Sequence, residues 1–197
     1  MSAKRPASKS ALALLLAAAT AVGPIAPLTA LPAQAETAVA PEKNPAGDIP
    51  DTQVFITYRS AAGYALKVPE GWARSEKGAD VRFVDKLDAV SVTVQDAPAA
   101  VSLNWLRTRY LPVLEQQGRA VRIDKLDAVQ LPGGKAFRIS YADNSEPNPV
   151  TGKQVRLEHN LYLFAHGGKL AALNLSAPYG ADNADQWRLM SRSFRWP

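Results

Sequence analysis

Histidine is the side chain best suited to acid–base chemistry near neutral pH, and this sequence has two, His159 and His166. They lie seven residues apart on or just past one predicted strand. An odd separation places two side chains on opposite faces of a strand, so the pair is not expected to bind one metal ion. His159 lies on an otherwise aliphatic face, which favours a hydrogen-bonded core histidine over a catalytic base.

Nucleophilic and phosphate-transfer chemistry have no signature here. The chain contains no cysteine and no Gly-x-Ser-x-Gly elbow. Two Gly-Gly-Lys runs, at 133–135 and 167–169, lack the upstream glycine and the following Ser or Thr of a P-loop, so both are interpreted as hairpin turns. We therefore expect no catalytic residues, no enzymatic activity and no cofactor.

Acidic side chains cluster at two places in the sequence. Asp80, Asp85 and Asp88 flank one predicted strand, and Asp143 with Glu146 belongs to a polar loop. Ca²⁺ needs six to eight oxygen ligands, and no D-x-D-x-D-G spacing occurs. We interpret these acids as solvated hairpin residues and predict no metal site, although a weak surface cation site with unassigned ligands stays open.

The N-terminus predicts export. Lys4, Arg5 and Lys9 precede an apolar run over residues 11–21, and Ala33-Gln34-Ala35 forms a small-residue cleavage site. This arrangement is typical of a secretory signal peptide, here residues 1–35 with cleavage after Ala35. The mature form is then extracytoplasmic with no transmembrane segment. The absence of cysteine excludes disulfides and a cysteine-linked lipid anchor.

Removing residues 1–35 changes the charge balance. Three of the 23 basic residues and no acids lie there, which leaves 20 Lys and Arg against 18 Asp and Glu. So small a net charge gives no support for nucleic-acid binding. Residues 36–50, with three prolines and no hydrophobic period, predict a disordered Ala/Pro linker, and residues 51–197 predict one domain.

Period-two alternation predicts eight strands, four before and four after a first helix. That helix runs from an N-cap at Ser102 to about Gln117, with a kink or break at Pro112. Trp105 projects opposite its apolar stripe, where it is either an exposed partner contact or is covered by a loop. Asp182 or Asn183 caps a second helix. Tight turns join most neighbouring strands, so the fold class is α+β, a mainly antiparallel sheet flanked by helices.

The most informative stretch of the sequence runs from Gly63 to Trp72, Gly-Tyr-Ala-Leu-Lys-Val-Pro-Glu-Gly-Trp. It predicts a strand and a turn, with the large Trp72 ring at the corner. Together with G-A-D-V-R-F-V-D, V-S-V-T-V, G-G-K-A-F-R-I-S-Y, the long 155–178 stretch and the closing Ser193-Phe194, it resembles the PsbP-type domain. The sequence is also similar to the related exported actinobacterial LpqN-like lipoproteins. The likeness runs from about Val54 to Phe194.

The resemblance implies an α/β/α sandwich and a non-enzymatic accessory role. PsbP proteins help photosystem II retain calcium and chloride, and the Ran-binding Mog family uses the same fold for a different partner. Our leading hypothesis is a secreted, monomeric, non-catalytic binding module of the cell envelope with an unknown protein or envelope partner. The alternatives are a carrier of a small apolar or lipid ligand, with Trp105 or Tyr179 at the mouth, and a photosystem II extrinsic-type protein with weak calcium binding.

Overall fold

The computed structural model describes residues 36–196, and the predicted signal peptide lies outside them. Nine strands occur in this part of the chain: β1 (Phe55–Arg59), β2 (Ala65–Pro69), β3 (Ala73–Lys77), β4 (Asp80–Asp85), β5 (Asp88–Asp96), β6 (Arg122–Leu131), β7 (Gly134–Asn144), β8 (Arg156–His166) and β9 (Lys169–Pro178). The helical parts are α1 (Leu103–Trp105), a π-helical turn (Leu106–Tyr110), α2 (Leu111–Gln117) and α3 (Ala184–Ser193).

Seven strands form one sheet in the order β3-β4-β5-β9-β8-β7-β6, and every neighbouring pair is antiparallel. β1 and β2 form a separate antiparallel hairpin. The predicted α+β class with a mainly antiparallel sheet is therefore confirmed. None of the helices within residues 36–196 combines the length and apolar character needed to cross a bilayer.

The structure has one strand more than the eight that the sequence predicts, and the additional strand is β3. All five β3 residues are exposed, so the strand has no apolar alternation to reveal it. It pairs with β4 from Ala73 opposite Val84 to Lys77 opposite Asp80. An edge strand of charged residues resists pairing with another chain, which explains why this composition suits the position.

The sheet has two buried faces with separate cores. On the first, which we call the α3 face, α3 and the β1–β2 hairpin pack on Val90, Val92, Leu173 and their neighbours. On the second, the α2 face, the helical residues 103–117 pack on Ile139, Leu161 and their neighbours through the fully buried Leu106. Strand alternation separates the two sets, because successive residues point to opposite faces.

The first helical region departs from an α-helix before Pro112, where a kink or break was expected. A π-helical turn occupies Leu106–Tyr110, and the backbone N–H of Leu111 donates to the carbonyl of Leu106. Proline lacks an N–H and its ring crowds the preceding turn, so a wider turn ahead of it relieves the conflict. Pro112 then lies at the start of α2, a position that proline tolerates.

Residues 36–51, which we call the strap, lie against the domain and differ here from the unstructured linker that the sequence predicted. Ile49 is 5% exposed and belongs to the core of the α3 face, and its N–H donates to Asn183 Oδ1 at 2.7 Å. A Cβ at Gly47 would lie 2.7 Å from the Pro178 ring, so only glycine fits there. The strap shows no apolar period because backbone groups and a few single side chains, such as Ile49, make its contacts, and composition does not reveal them.

Candidate functional site

His159 lies at the centre of a polar cluster on the α2 face. Its Nε2 is 2.9 Å from Asp143 Oδ1, its Nδ1 is 3.2 Å from Asn174 Nδ2, and the Tyr141 ring stacks on it at 4.3 Å between centroids. The alternation of β7, β8 and β9 brings these four side chains to one face. The sequence predicted a hydrogen-bonded core histidine, and the 7% exposure of His159 agrees with that interpretation.

Both ring nitrogens of His159 are occupied. A carboxylate oxygen can only accept, so Nε2 carries the hydrogen of the contact with Asp143, and Nδ1 faces the side-chain amide of Asn174. Burial raises the pKa of the stacked Tyr141 hydroxyl above its usual range. Both nitrogens of the ring therefore face protein side chains.

His166 lies apart from this cluster, exposed at the end of β8 and 6.0 Å from the Trp196 ring. The two predicted histidine positions are therefore not brought together. Of the two histidines, His159 is the one with an acid beside it, and that contact fixes the orientation of its ring.

The acidic residues fall into separate environments. Asp143 pairs with His159, Glu146 lies 3.6 Å from Arg119, and Asp80 accepts the Val94 N–H. Asp88 is 5% exposed, so the expectation that it is a solvated hairpin acid is wrong: the strap and Asn183 cover it. Burial raises the pKa of Asp88 to about 7, and the nearby charges of Asp85 and Asp48 act in the same direction.

No group of three or more His, Asp or Glu side chains within residues 36–196 is arranged to hold a metal ion.

Trp105 is half-buried, and its ring lies 5.9 Å from that of Tyr110. It packs against the core of the α2 face, so the expected position opposite the apolar stripe is wrong. That expectation assumed an α-helix, which rotates by about 100° per residue. The rotation is smaller through the π-helical turn, where hydrogen bonds join residues five apart. Residues 105 and 110 consequently fall on the same side.

A groove of about 370 Å³ runs between this helical region and the uncovered half of the α2 face. Trp105, Tyr110 and the 47% exposed Val113 supply its apolar wall, and Arg109 lies beside them. Thr93 and Gln95 of β5 form the polar side. We call this the aromatic groove. Of its residues the sequence singled out Trp105, either as a partner contact or as a residue covered by a loop. Arg109, Thr93 and Gln95 carry no pattern that marks a site.

Tyr179, proposed as a mouth residue for an apolar ligand, lies elsewhere. It lines an open cleft beside the strap with Arg122 and Arg156, and the Arg122 guanidinium is 5.8 Å from its ring. Trp105 and Tyr179 therefore line different clefts.

This arrangement of strands and helices is the PsbP-like fold. It matches the solution structure of cyanobacterial PsbP (CyanoP) from Synechocystis sp. PCC 6803 with a TM-score of 0.51 and 19% identity, over 77% of this chain and 99% of that one. No protein-family model matches the sequence, and no curated protein matches it either.

Two further solved structures are similar at lower scores. The Ran-binding protein Mog1p of Saccharomyces cerevisiae gives a TM-score of 0.48 and 12% identity, over 73% of this chain and 96% of that one. LpqN of Mycobacterium tuberculosis, which is involved in cell envelope biogenesis, gives 0.43 and 12%, over 74% of this chain and 91% of that one.

Proposed function

We propose that this protein is a secreted, non-catalytic binding module of the cell envelope and that the aromatic groove is its partner surface. The groove is the observation that carries the proposal. Trp, Tyr and Arg are the side chains most enriched among energetically dominant interface residues, and Trp105, Tyr110 and Arg109 line this one cleft. Export is inferred from the predicted signal peptide.

The partner that fits the groove is an extended segment of a protein with an apolar and an acidic side chain. The apolar side chain contacts Trp105 and Val113. Arg109 forms no ion pair with any side chain in the described part of the chain, so it is available to an acidic one. Thr93 and Gln95 can accept and donate hydrogen bonds along the opposite side.

The absence of catalysis is part of the proposal and is supported by the His159 cluster, because both ring nitrogens already bind protein groups. Carriage of an apolar ligand would need a continuous apolar cavity. The space between α3 and the sheet is instead filled by Tyr64, Phe164 and Phe194, whose rings pack against one another.

Site-specific photo-crosslinking tests the partner surface. A photoreactive side chain at Val113 is expected to form one discrete adduct in the protein's own secreted fraction, and Trp105→Ala should abolish it. Val150, which is 91% exposed and lies in the β7–β8 loop, is the matched control position. Equal adduct formation from both positions, or an adduct that survives Trp105→Ala, would contradict the proposal.

A further inference from the structure

A third cleft lies on the α3 face, between the β1–β2 hairpin and the C-terminal end of α3, with a volume of about 480 Å³. Four cationic side chains line it: Arg59, Lys67, Arg192 and Arg195. We call it the basic cleft. It lies across the sheet from the aromatic groove, so the two sites are independent.

The chain brings these cations together through a short backbone pairing. After α3, the N–H of Arg195 donates to the Ala65 carbonyl at 2.8 Å, and the Ala65 N–H donates back at 2.9 Å. The Lys67 N–H donates to Ser193 Oγ at 2.7 Å. The end of α3 is thereby fixed against β2, whose residue Lys67 pairs with Thr57 of β1 on the outer side of the hairpin.

Among residues 36–196, no acidic residue lines the cleft. Several other cations of the described residues pair with acids, for example Arg138 with Asp127 and Arg188 with Asp185. None of the four cleft cations forms an ion pair within residues 36–196. Because the chain from residue 36 carries 20 basic and 18 acidic residues, general basicity does not explain this concentration of like charge.

Helix capping accounts for part of the cluster only. Arg195 Nη1 donates to the carbonyls of Arg192 and Phe194 at 2.7 Å, and cations are favoured near the C-terminal end of a helix. Arg59 and Lys67 belong to the β1–β2 hairpin, so helix capping does not account for them. Placing four like charges around one cleft costs free energy through their repulsion, and a bound anion removes that cost.

We propose that the basic cleft binds a phosphate-bearing anion. Guanidinium groups bind phosphate oxygens in a bidentate manner, and an ammonium group adds a compact point charge. The hydroxyl of Thr57, which also lines the cleft, can donate to a remaining oxygen. The exposed Leu189 at the cleft suits the apolar part of a lipid, so the phosphate can come from an anionic lipid headgroup or from a soluble molecule.

The test compares two variants of the full chain, so that any contribution from its N-terminal residues cancels. Arg59→Gln/Lys67→Gln removes two cleft charges without touching a side-chain hydrogen bond of the described structure. Lys43→Gln/Lys153→Gln removes two exposed charges elsewhere. The probes are vesicles of phosphatidylglycerol, vesicles of phosphatidylcholine, and pyrophosphate in solution.

The unaltered protein is expected to bind at least one phosphate probe in a salt-dependent manner, and the cleft variant to bind it about twentyfold more weakly. The affinity of the control variant for the same probe should fall by a few-fold at most. Binding to phosphatidylglycerol vesicles alone identifies a lipid headgroup, and binding to pyrophosphate as well identifies a free phosphate site. The proposal would be overturned if the unaltered protein bound neither phosphatidylglycerol vesicles nor pyrophosphate. It would also be overturned if the two variants lost binding affinity equally. Since the aromatic groove is unaltered in both variants, this result is separate from the crosslinking outcome.

Discussion

The two faces of the seven-stranded sheet are covered to different extents. The α3 face is closed by a helix, a hairpin and the strap, and aromatic rings fill its centre. The α2 face is closed by one helical region over β6 to β9, while Arg82, Ser91 and Thr93 of β4 and β5 stay uncovered. We infer that packing on the α3 face contributes most to the stability of the fold, whereas the α2 face leaves a surface open beside its core.

The buried titratable side chains of the two faces also differ in their surroundings. On the α3 face a buried carboxyl, Asp88, is held under the strap and is costly to ionise. On the α2 face the buried His159 has an acid beside it, which satisfies its N–H. Stability should therefore depend on pH chiefly through the strap side of the molecule.

The largest expected effect is at the aromatic centre of the α3 face. Phe194 is 1% exposed and stacks on Phe164 at 4.3 Å and Tyr64 at 5.8 Å between centroids. Phe194→Ala should lower the free energy of unfolding by about 3–5 kcal/mol, because it removes the ring and leaves a cavity. Val113→Ala in the aromatic groove should cost at most about 0.5 kcal/mol. Urea denaturation of both variants measures these changes. Similar losses in the free energy of unfolding would contradict the inference that the two faces contribute differently to stability.

The pH dependence of Asp88 is the next largest effect. Its pKa in the folded protein is about 7, against about 3.9 in an unfolded chain. The folded state therefore binds the proton more tightly, so stability is greatest below about pH 4 for this group and is lost as the pH rises through 7. We expect the protein to be more stable at pH 5 than at pH 8, by on the order of 2–4 kcal/mol.

Asp88→Asn should remove most of that difference, since an amide resembles the protonated carboxyl in shape and carries no charge. The control variant is Glu115→Gln, which removes an exposed carboxyl on α2 that forms no ion pair within residues 36–196, and it should keep the difference. Thermal unfolding at the two pH values measures both. A pH dependence that survives Asp88→Asn would place its origin at another group.

The sequence predicted the sheet well where one face of a strand is buried. Val90, Val92 and Val94 alternate with polar residues, and β5 lies where that pattern placed it. Trp72 packs against the core at its corner as expected. The resemblance to PsbP-type domains correctly predicted the fold, because the motifs that carry it are turns and strands.

The sites were harder to predict, for physical reasons that differ between residues. Arg59 and Arg195 are far apart in the sequence and meet only through the pairing of Ala65 with Arg195. The side of Trp105 depends on a π-helical turn, which shifts every later residue of that helix. Asp88 looks like a hairpin acid because the segment that buries it is a proline-rich strap with no apolar period.

A smaller effect is expected where the strap begins. Asn144 accepts from the Val39 N–H at 3.0 Å, and its amide donates to Glu36 and to the Thr37 carbonyl at 2.9 Å. Asn144→Ala also removes an acceptor from the buried Arg156, so a loss of about 1–3 kcal/mol is expected. Amide hydrogen exchange should rise in residues 36–40, and Asn104→Ala, at an exposed helix position, should leave it unchanged. Unaltered exchange in the Asn144 variant would mean that the strap is held from Gly47 onward only.

The smallest expected effect concerns the start of the helical region on the α2 face. Ser102 Oγ accepts the Trp105 N–H at 3.1 Å, which satisfies one of the free donors at the helix start. Ser102→Ala should cost about 1 kcal/mol. The loss should be local: faster amide exchange within residues 103–110 and no change in α3, because the two faces have separate cores. Ser75→Ala on the exposed strand β3 is the control. If exchange rises equally in α3, the two cores unfold as one unit, and the open surface beside Trp105 is held as firmly as the closed face.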